Sequence, residues 1–340
     1  MRRLFCTLVL FAASAQAQIL LPQMMRNNST AHLLFRSGFE SSSAINTPTN
    51  CGSTECYQQP SGTDAASGYT WPPQLWGSQT TFLGGGWWQL QTNVSQTPTT
   101  VVDYIQNTLE PTGGRNGTQG LKMLNQTTLN GHVTGQDPFQ ITPDVSQPQG
   151  DFYIRVWFKL QSNILTEMCQ GQNGDGTWCD WRALAEWKTG GQANGGANPC
   201  IVGQTWGGDY RNIIFVIKSA GALKWRVQAD TVANGGLAYN VFWQTDNTSV
   251  PVPVDEWFKL EWFVHRATDS TGRIWVAING TTIADFHGVT INTPAYGGGS
   301  SCKINRIMPF TVYNTAASPI YQWVDDLEIW DGFPVDASAH

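Results

Sequence analysis

The stretch "VDEWFKLEWFVHRATDSTGRIWVAINGTTIADFHG" (Val254–Gly288) decides how the rest of the chain is read. In its first half, Phe258, Leu260, Trp262 and Val264 alternate with Lys259, Glu261, Phe263 and His265. Side chains along a strand point to opposite faces in turn, so this alternation predicts a strand with one apolar and one mixed face. A turn with Gly272 follows, then an apolar run that ends in Asn279-Gly280. That dipeptide suits a two-residue hairpin, because both central residues of such a turn take positive φ. The stretch therefore predicts consecutive antiparallel strands.

The same pattern extends outward. "DFYIRVWFKLQ" (Asp151–Gln161), "WRALAEWKT", "RNIIFVIKS", "LKWRVQADT", "AYNVFWQT", "INRIMPFTVYN" and "IYQWVDDLEIW" are short runs rich in β-branched and aromatic residues. Gly, Asn, Ser and Asp turns separate them. No segment sustains a helical period. Upstream, "HLLFRSGFES" reads as a first strand and "GLKMLNQTTL" as a further strand, while "TTVVDYIQNTLEP" suits a short strand or helix. The prediction is an all-β, two-sheet jelly roll. It forms one domain over 34–334, with long loop insertions near 41–100 and 165–210 and a tail at 335–340.

Composition limits the function. Charged residues are 13% of 340, the net charge is −6, and no Lys/Arg run occurs, so no nucleic-acid footprint is present. The first residues combine "MRR", a short apolar run and Ala15-Gln16-Ala17. This predicts a signal peptide over 1–17 and a secreted or periplasmic chain with a flexible mature start over 18–33. The apolar run is too short to span a bilayer, so no membrane partner is expected. Beyond Cys6, six cysteines remain. In an exported chain they predict disulfides. Six cysteines allow 15 pairings, of which proximity favours Cys51–Cys56, Cys169–Cys179 and Cys200–Cys302. Sequons occur at Asn28, Asn93, Asn116, Asn125, Asn247 and Asn279.

The strand and hairpin order of Val254–Gly288, with "KINRIMPFTVYN" and "YQWVDDLEIW" after it, resembles the concanavalin A-like jelly rolls. Within them it is similar to the polysaccharide lyases of the heparin lyase I type. The resemblance covers roughly residues 150–332. It implies β-elimination on a uronate-containing polysaccharide. In that chemistry a cation or amide neutralises the carboxylate beside the labile proton. A Tyr or His then removes the proton, and a Tyr or similar group protonates the leaving oxygen. The late tyrosine of such lyases falls on Tyr313. Their central-strand histidine has no counterpart here, where Lys188 stands instead. His132 is the replacement base considered, with Arg155 and Lys188 as groove cations. Arg306, Lys303 and Glu186 are expected near the substrate.

Two other chemistries compete. A glycoside hydrolase on this fold would use Glu186 and Glu261 across a cleft of roughly 5–9 Å. A non-catalytic laminin-G-like or lectin-like module would need exposed aromatic platforms. Trp87, Trp88, Trp181 and Trp206 suit that role, as do Trp71, Trp76 and Trp178, all in loop-like contexts. The remaining expectation is a structural calcium ion bound by Glu40 of "SGFES" and Asp326 of "WVDDLEIW", since first and last strands commonly lie side by side. A monomer acting on polysaccharide is the expected state.

Overall fold

The computed structural model describes residues 31–45, 55–73, 86–90, 105–125, 128–129, 132–141, 143, 149–169, 179–189, 210–231, 240–290, 304–316 and 320–337. Nineteen strands run through them in order. They are β1 (Leu33–Ser37), β2 (Ala44–Ile45), β3 (Glu55–Gln58), β4 (Pro60–Ser61), β5 (Gly86–Leu90), β6 (Ile105–Glu110), β7 (Gly120–Asn125), β8 (Thr128–Leu129), β9 (His132–Ile141) and β10 (Phe152–Leu160). One helical turn, α1 (Ile164–Glu167), then precedes β11 (Trp181–Thr189), β12 (Tyr210–Ser219), β13 (Ala222–Thr231), β14 (Asn240–Asn247), β15 (Trp257–His265), β16 (Arg273–Ile278), β17 (Thr281–His287), β18 (Ile304–Ala316) and β19 (Ile320–Trp330).

Sheet I has the order β17-β16-β15-β10-β19-β7-β6, with β1 also on β19. Sheet II has the order β14-β13-β12-β11-β18-β9-β5-β3, with β8 on β9. The chain crosses from sheet I to sheet II after β10, back after β14, and twice more at β18 and β19. This is the antiparallel jelly-roll sandwich that the sequence predicts. The 41–100 segment differs from the loop reading: β3 and β5 within it extend sheet II past β9.

The alternation of Val254–Gly288 is realised in β15. Phe258, Leu260, Trp262 and Val264 enter the core between the sheets, and Glu261 and Phe263 face outward. The Trp187 and Trp262 rings stack across the two layers at 6.4 Å. Trp71 is a core residue and not a surface platform. It packs against Phe35, Phe39 and Phe139, and its indole donates to Ser37 Oγ at 3.0 Å. The Asn279-Gly280 hairpin joins β16 to β17 with positive φ at both residues.

Two bulges decide which residues face out. In β11, Leu184 and Ala185 both turn inward, opposite a register shift on β12. The bulge therefore sends Glu186 and Lys188 outward and Trp187 into the core. In β19 the bulge falls at Asp325-Asp326, and Asp326 has φ of 46°. At that point β7 ends its pairing with β19 and β1 begins.

Candidate functional site

The site is built by register on the outer face of sheet II. Lys188 of β11 is paired with Arg211 of β12 and with Arg306 of β18, and Arg211 is paired with Asp230 of β13. Directly paired residues share a face at about 5 Å spacing, so three cations stand side by side on three neighbouring strands. The next row inward is Gln228, Ile213, Glu186 and Met308. The row after that is Asp246, Arg226, Phe215, Ala183, Tyr313 and Gln136.

Each carboxylate in these rows holds a cation in place. Glu186 meets Lys188 at 2.6 Å, and both are largely buried. Arg211 donates from Nε and Nη2 to the two oxygens of buried Asp230, at 2.8 and 3.1 Å, and Gln228 adds a bond to Asp230 at 2.6 Å. Arg226 grips Asp246 in the same forked way, at 2.6 and 2.8 Å, with Lys224 at 2.9 Å. The fork fixes the guanidinium plane as well as its position. The bonds from Arg226 hold Asp246 down at about 2. Burial, then the like charges of Arg306 and Arg211, push the Lys188 ammonium well below the usual lysine range, against the pull of Asp230. The Glu186 carboxylate touches that ammonium, so the two side chains form a buried, closely coupled pair.

Members of these rows on β12 and β13 line a cleft of about 250 Å³. Ile213, Phe215 and Ile217 form its floor, Arg211, Arg226 and Gln228 flank it, and Asp180 and Trp181 form a wall. Trp181 meets Phe215 edge to face at 5.7 Å. Burial pushes the Asp180 carboxyl upward. The Cys169–Cys179 disulfide immediately precedes this wall, as the sequence predicts.

The structure thus gathers Lys188, Glu186, Arg306 and Trp181 on one face. Tyr313 shares their face by register, opposite Ala183, and His132 opens β9 opposite Leu129. The side chains of Tyr313 and His132 lie outside the described part. So do those of Trp87, Trp88 and Cys56, whose backbones form β5 and β3. Trp206, Lys303, Cys51, Cys200 and Cys302 lie wholly outside the described residues, as do residues 1–17, where a signal peptide is expected.

Two expectations are corrected. Arg155 is on the outer face of sheet I, across the core from Lys188, bonded to Glu328 at 2.6 Å and Asp336 at 2.9 Å. Glu261 is on that same face, accepting from the Tyr153 hydroxyl at 2.6 Å and paired with Lys259. Stacked sheets sit about 10 Å apart and both glutamates point away from the core, so Glu186 and Glu261 cannot flank one glycosidic bond. The calcium expectation concerns Glu40 and Asp326. Glu40 and Asp326 do come together around Gly38, where an added Cβ would lie 3.3 Å from Asp326 Oδ1. However, the Asp326 carboxylate is already bonded to the Arg115 guanidinium, and Asp325 accepts from the backbone N–H of Arg115 at 2.7 Å and of Asp326 at 2.8 Å. A guanidinium is thus a partner of one of the two expected ligands. Among the described residues no group of three His, Cys, Asp or Glu is arranged for a metal ion.

Sequence reasoning missed Arg211, Asp230 and Arg226. Their only signal was a charge at alternate positions of two adjacent strands, "YRNIIFVIKS" and "ALKWRVQADT".

No family model matches the sequence, and no curated protein matches it. Similar solved structures include an endo-β-1,4-glucuronan lyase from the fungus Trichoderma reesei, at 13% identity over 69% of this chain and 92% of that one, with a TM-score of 0.46. A marine PL-14 alginate lyase from Aplysia kurodai is similar at 12% identity, over 67% and 87% of the two chains, with a TM-score of 0.42. An alginate lyase, Aly36B, in complex with an alginate tetrasaccharide is similar at 13% identity, over 62% and 80%, with a TM-score of 0.39. These scores lie below 0.5, so the fold assignment rests on the sheet order itself.

Proposed function

We propose that this protein is a polysaccharide lyase that cleaves a uronate-containing chain on the outer face of sheet II. The observation that carries the reading is the row Arg211–Lys188–Arg306, with Glu186 and Asp230 buried among the cations. β-Elimination needs positive charge against the uronate carboxylate while its neighbouring proton leaves. Arg211 and Arg306 supply that charge from the strands either side of Lys188. The Lys188–Glu186 couple is the group that can take up a proton there. Tyr313, on the same face, is the second proton-carrying group and protonates the leaving oxygen. The C–H proton passes to the base, its electron pair forms the C=C bond, and the C–O bond to the next sugar breaks. Trp181 and the apolar floor of the cleft give neighbouring sugars a surface to pack on.

The test supplies alginate, glucuronan, heparin and pectin and follows ultraviolet absorbance of the unsaturated product. Absorbance with one uronate polymer, lost in Lys188→Ala or Tyr313→Phe, supports the reading. Retention on a polymer without absorbance sinks it in favour of a binding module. New reducing ends without absorbance sink it in favour of hydrolysis.

A further inference from the structure

The sequons at Asn116, Asn247 and Asn279 fall where the structure describes the asparagine side chain, and the structure separates them. We infer that Asn116 and Asn279 are N-glycan acceptors and that Asn247 is not. Asn116 lies in the turn between β6 and β7, exposed, with φ of 69°. Asn279 lies in the turn between β16 and β17, exposed, with φ of 47°. Both sit in Asn-Gly-Thr. Asn279 uses its Oδ1 to accept from Lys259 N at 2.8 Å, which leaves the amide nitrogen pointing to the acceptor role. A glycosylated amide keeps that oxygen, so the turn survives modification. Asn116 engages neither side-chain atom in a hydrogen bond among the described residues.

Asn247 is built into the fold. Its Oδ1 accepts from the backbone N–H of Ser249 at 3.1 Å and of Val250 at 3.0 Å, and Nδ2 reaches Ile283 O at 3.5 Å across to sheet I. A sugar on that nitrogen would separate β14 from β17.

The reaction is one N-glycosyl transfer at each site. The asparagine amide nitrogen bonds to the anomeric carbon of a lipid-pyrophosphate-linked oligosaccharide. The bond from that carbon to the pyrophosphate breaks, and the amide proton leaves with the lipid pyrophosphate. The two acceptor turns join β6 and β17 to their neighbours, and β6 and β17 are the two ends of sheet I. Exposed edge strands invite pairing with a second chain, and a glycan beside each would block it. Neither turn belongs to sheet II, whose outer face carries Lys188. The inference rests on export of the chain and is independent of the lyase reading.

The experiment produces the full chain with its own first residues in a eukaryotic secretory host. The medium is treated with peptide N-glycosidase in heavy-oxygen water, and peptides are mapped by mass. Label is expected on Asn116 and Asn279 and not on Asn247. Asn116→Asp and Asn279→Asp, which keep residues tolerant of positive φ, should each lose one step of gel mobility shift. A secreted chain with either site unlabelled, or with label on Asn247, overturns the inference. Failure of export overturns the premise and the inference with it.

Discussion

Lys188 and Glu186 stand two residues apart on one face of β11 and meet at 2.6 Å, with Arg211 and Arg306 in register on either side of Lys188. This face needs the bulge at Leu184-Ala185. Without it, strand alternation from Ala183 would bury both charges between the sheets. Lys188→Met leaves the buried Glu186 carboxylate without its cation, which should cost about 3–5 kcal/mol. The double variant Lys188→Met with Glu186→Gln should recover most of that stability and none of the elimination activity. Thermal melts and product absorbance on the same samples check it. Recovery of activity with stability would make the pair structural only.

Asp325 predicts a dependence on pH. Burial, then the neighbouring charges of Asp326 and Glu40, raise its carboxyl to about 7 against the two backbone bonds. A carboxyl raised on folding makes the native state bind more protons than the unfolded one between about pH 4 and 7. Stability from this group is therefore lost as pH rises through that window, and the full displacement is on the order of 4 kcal/mol. Asp325→Asn removes the charge and keeps one of two acceptor oxygens. Its melting temperature relative to wild type should rise from pH 4 to pH 8. A constant difference would show that Asp325 does not titrate in this range.

Cys169–Cys179 closes a loop of sequence separation 10 directly before Asp180 and Trp181. Chain entropy assigns such a closure about 2–3 kcal/mol. Replacing both cysteines by serine should lower stability by that amount and weaken oligosaccharide binding at the cleft. Calorimetric titration with a uronate oligomer reads the second effect, and unchanged affinity would separate the staple from the site.

Much of the sandwich was legible because a strand reports its own faces. The alternation in β15 and the Asn279-Gly280 turn are local facts, and both are realised. Glu186 and Lys188 on one face followed from the same rule. Periodicity says nothing about which sheet a strand joins, and that is why Arg155 and Glu261 were drawn into a groove that lies across the core. Register is likewise invisible over long separations. The pairing of Lys188 with Arg211 spans a segment of unrelated composition, and Arg115 reaches Asp326 from 211 residues away. The carboxylates of Glu40 and Asp326 were expected together, and only the fold shows that an arginine neutralises Asp326.

Arg155 on sheet I and Arg211 on sheet II separate the faces experimentally. Arg155 holds Glu328, which Arg36 at 3.3 Å and the Trp330 indole at 2.9 Å also hold. Arg155→Gln should therefore cost only about 2 kcal/mol, less than a fully broken buried pair. Arg211 forks onto Asp230, whose side chain is fully buried where that of Glu328 keeps 7% exposure, so Arg211→Gln should cost more. Measured well below both melting temperatures, elimination by Arg155→Gln should match wild type. Arg211→Gln should lose at least tenfold, about 1.4 kcal/mol of transition-state stabilisation. The opposite order of effects would place the chemistry on sheet I, beside Tyr153 and Glu261. Equal losses would trace both to stability, and the row on sheet II would lose its claim to the substrate carboxylate.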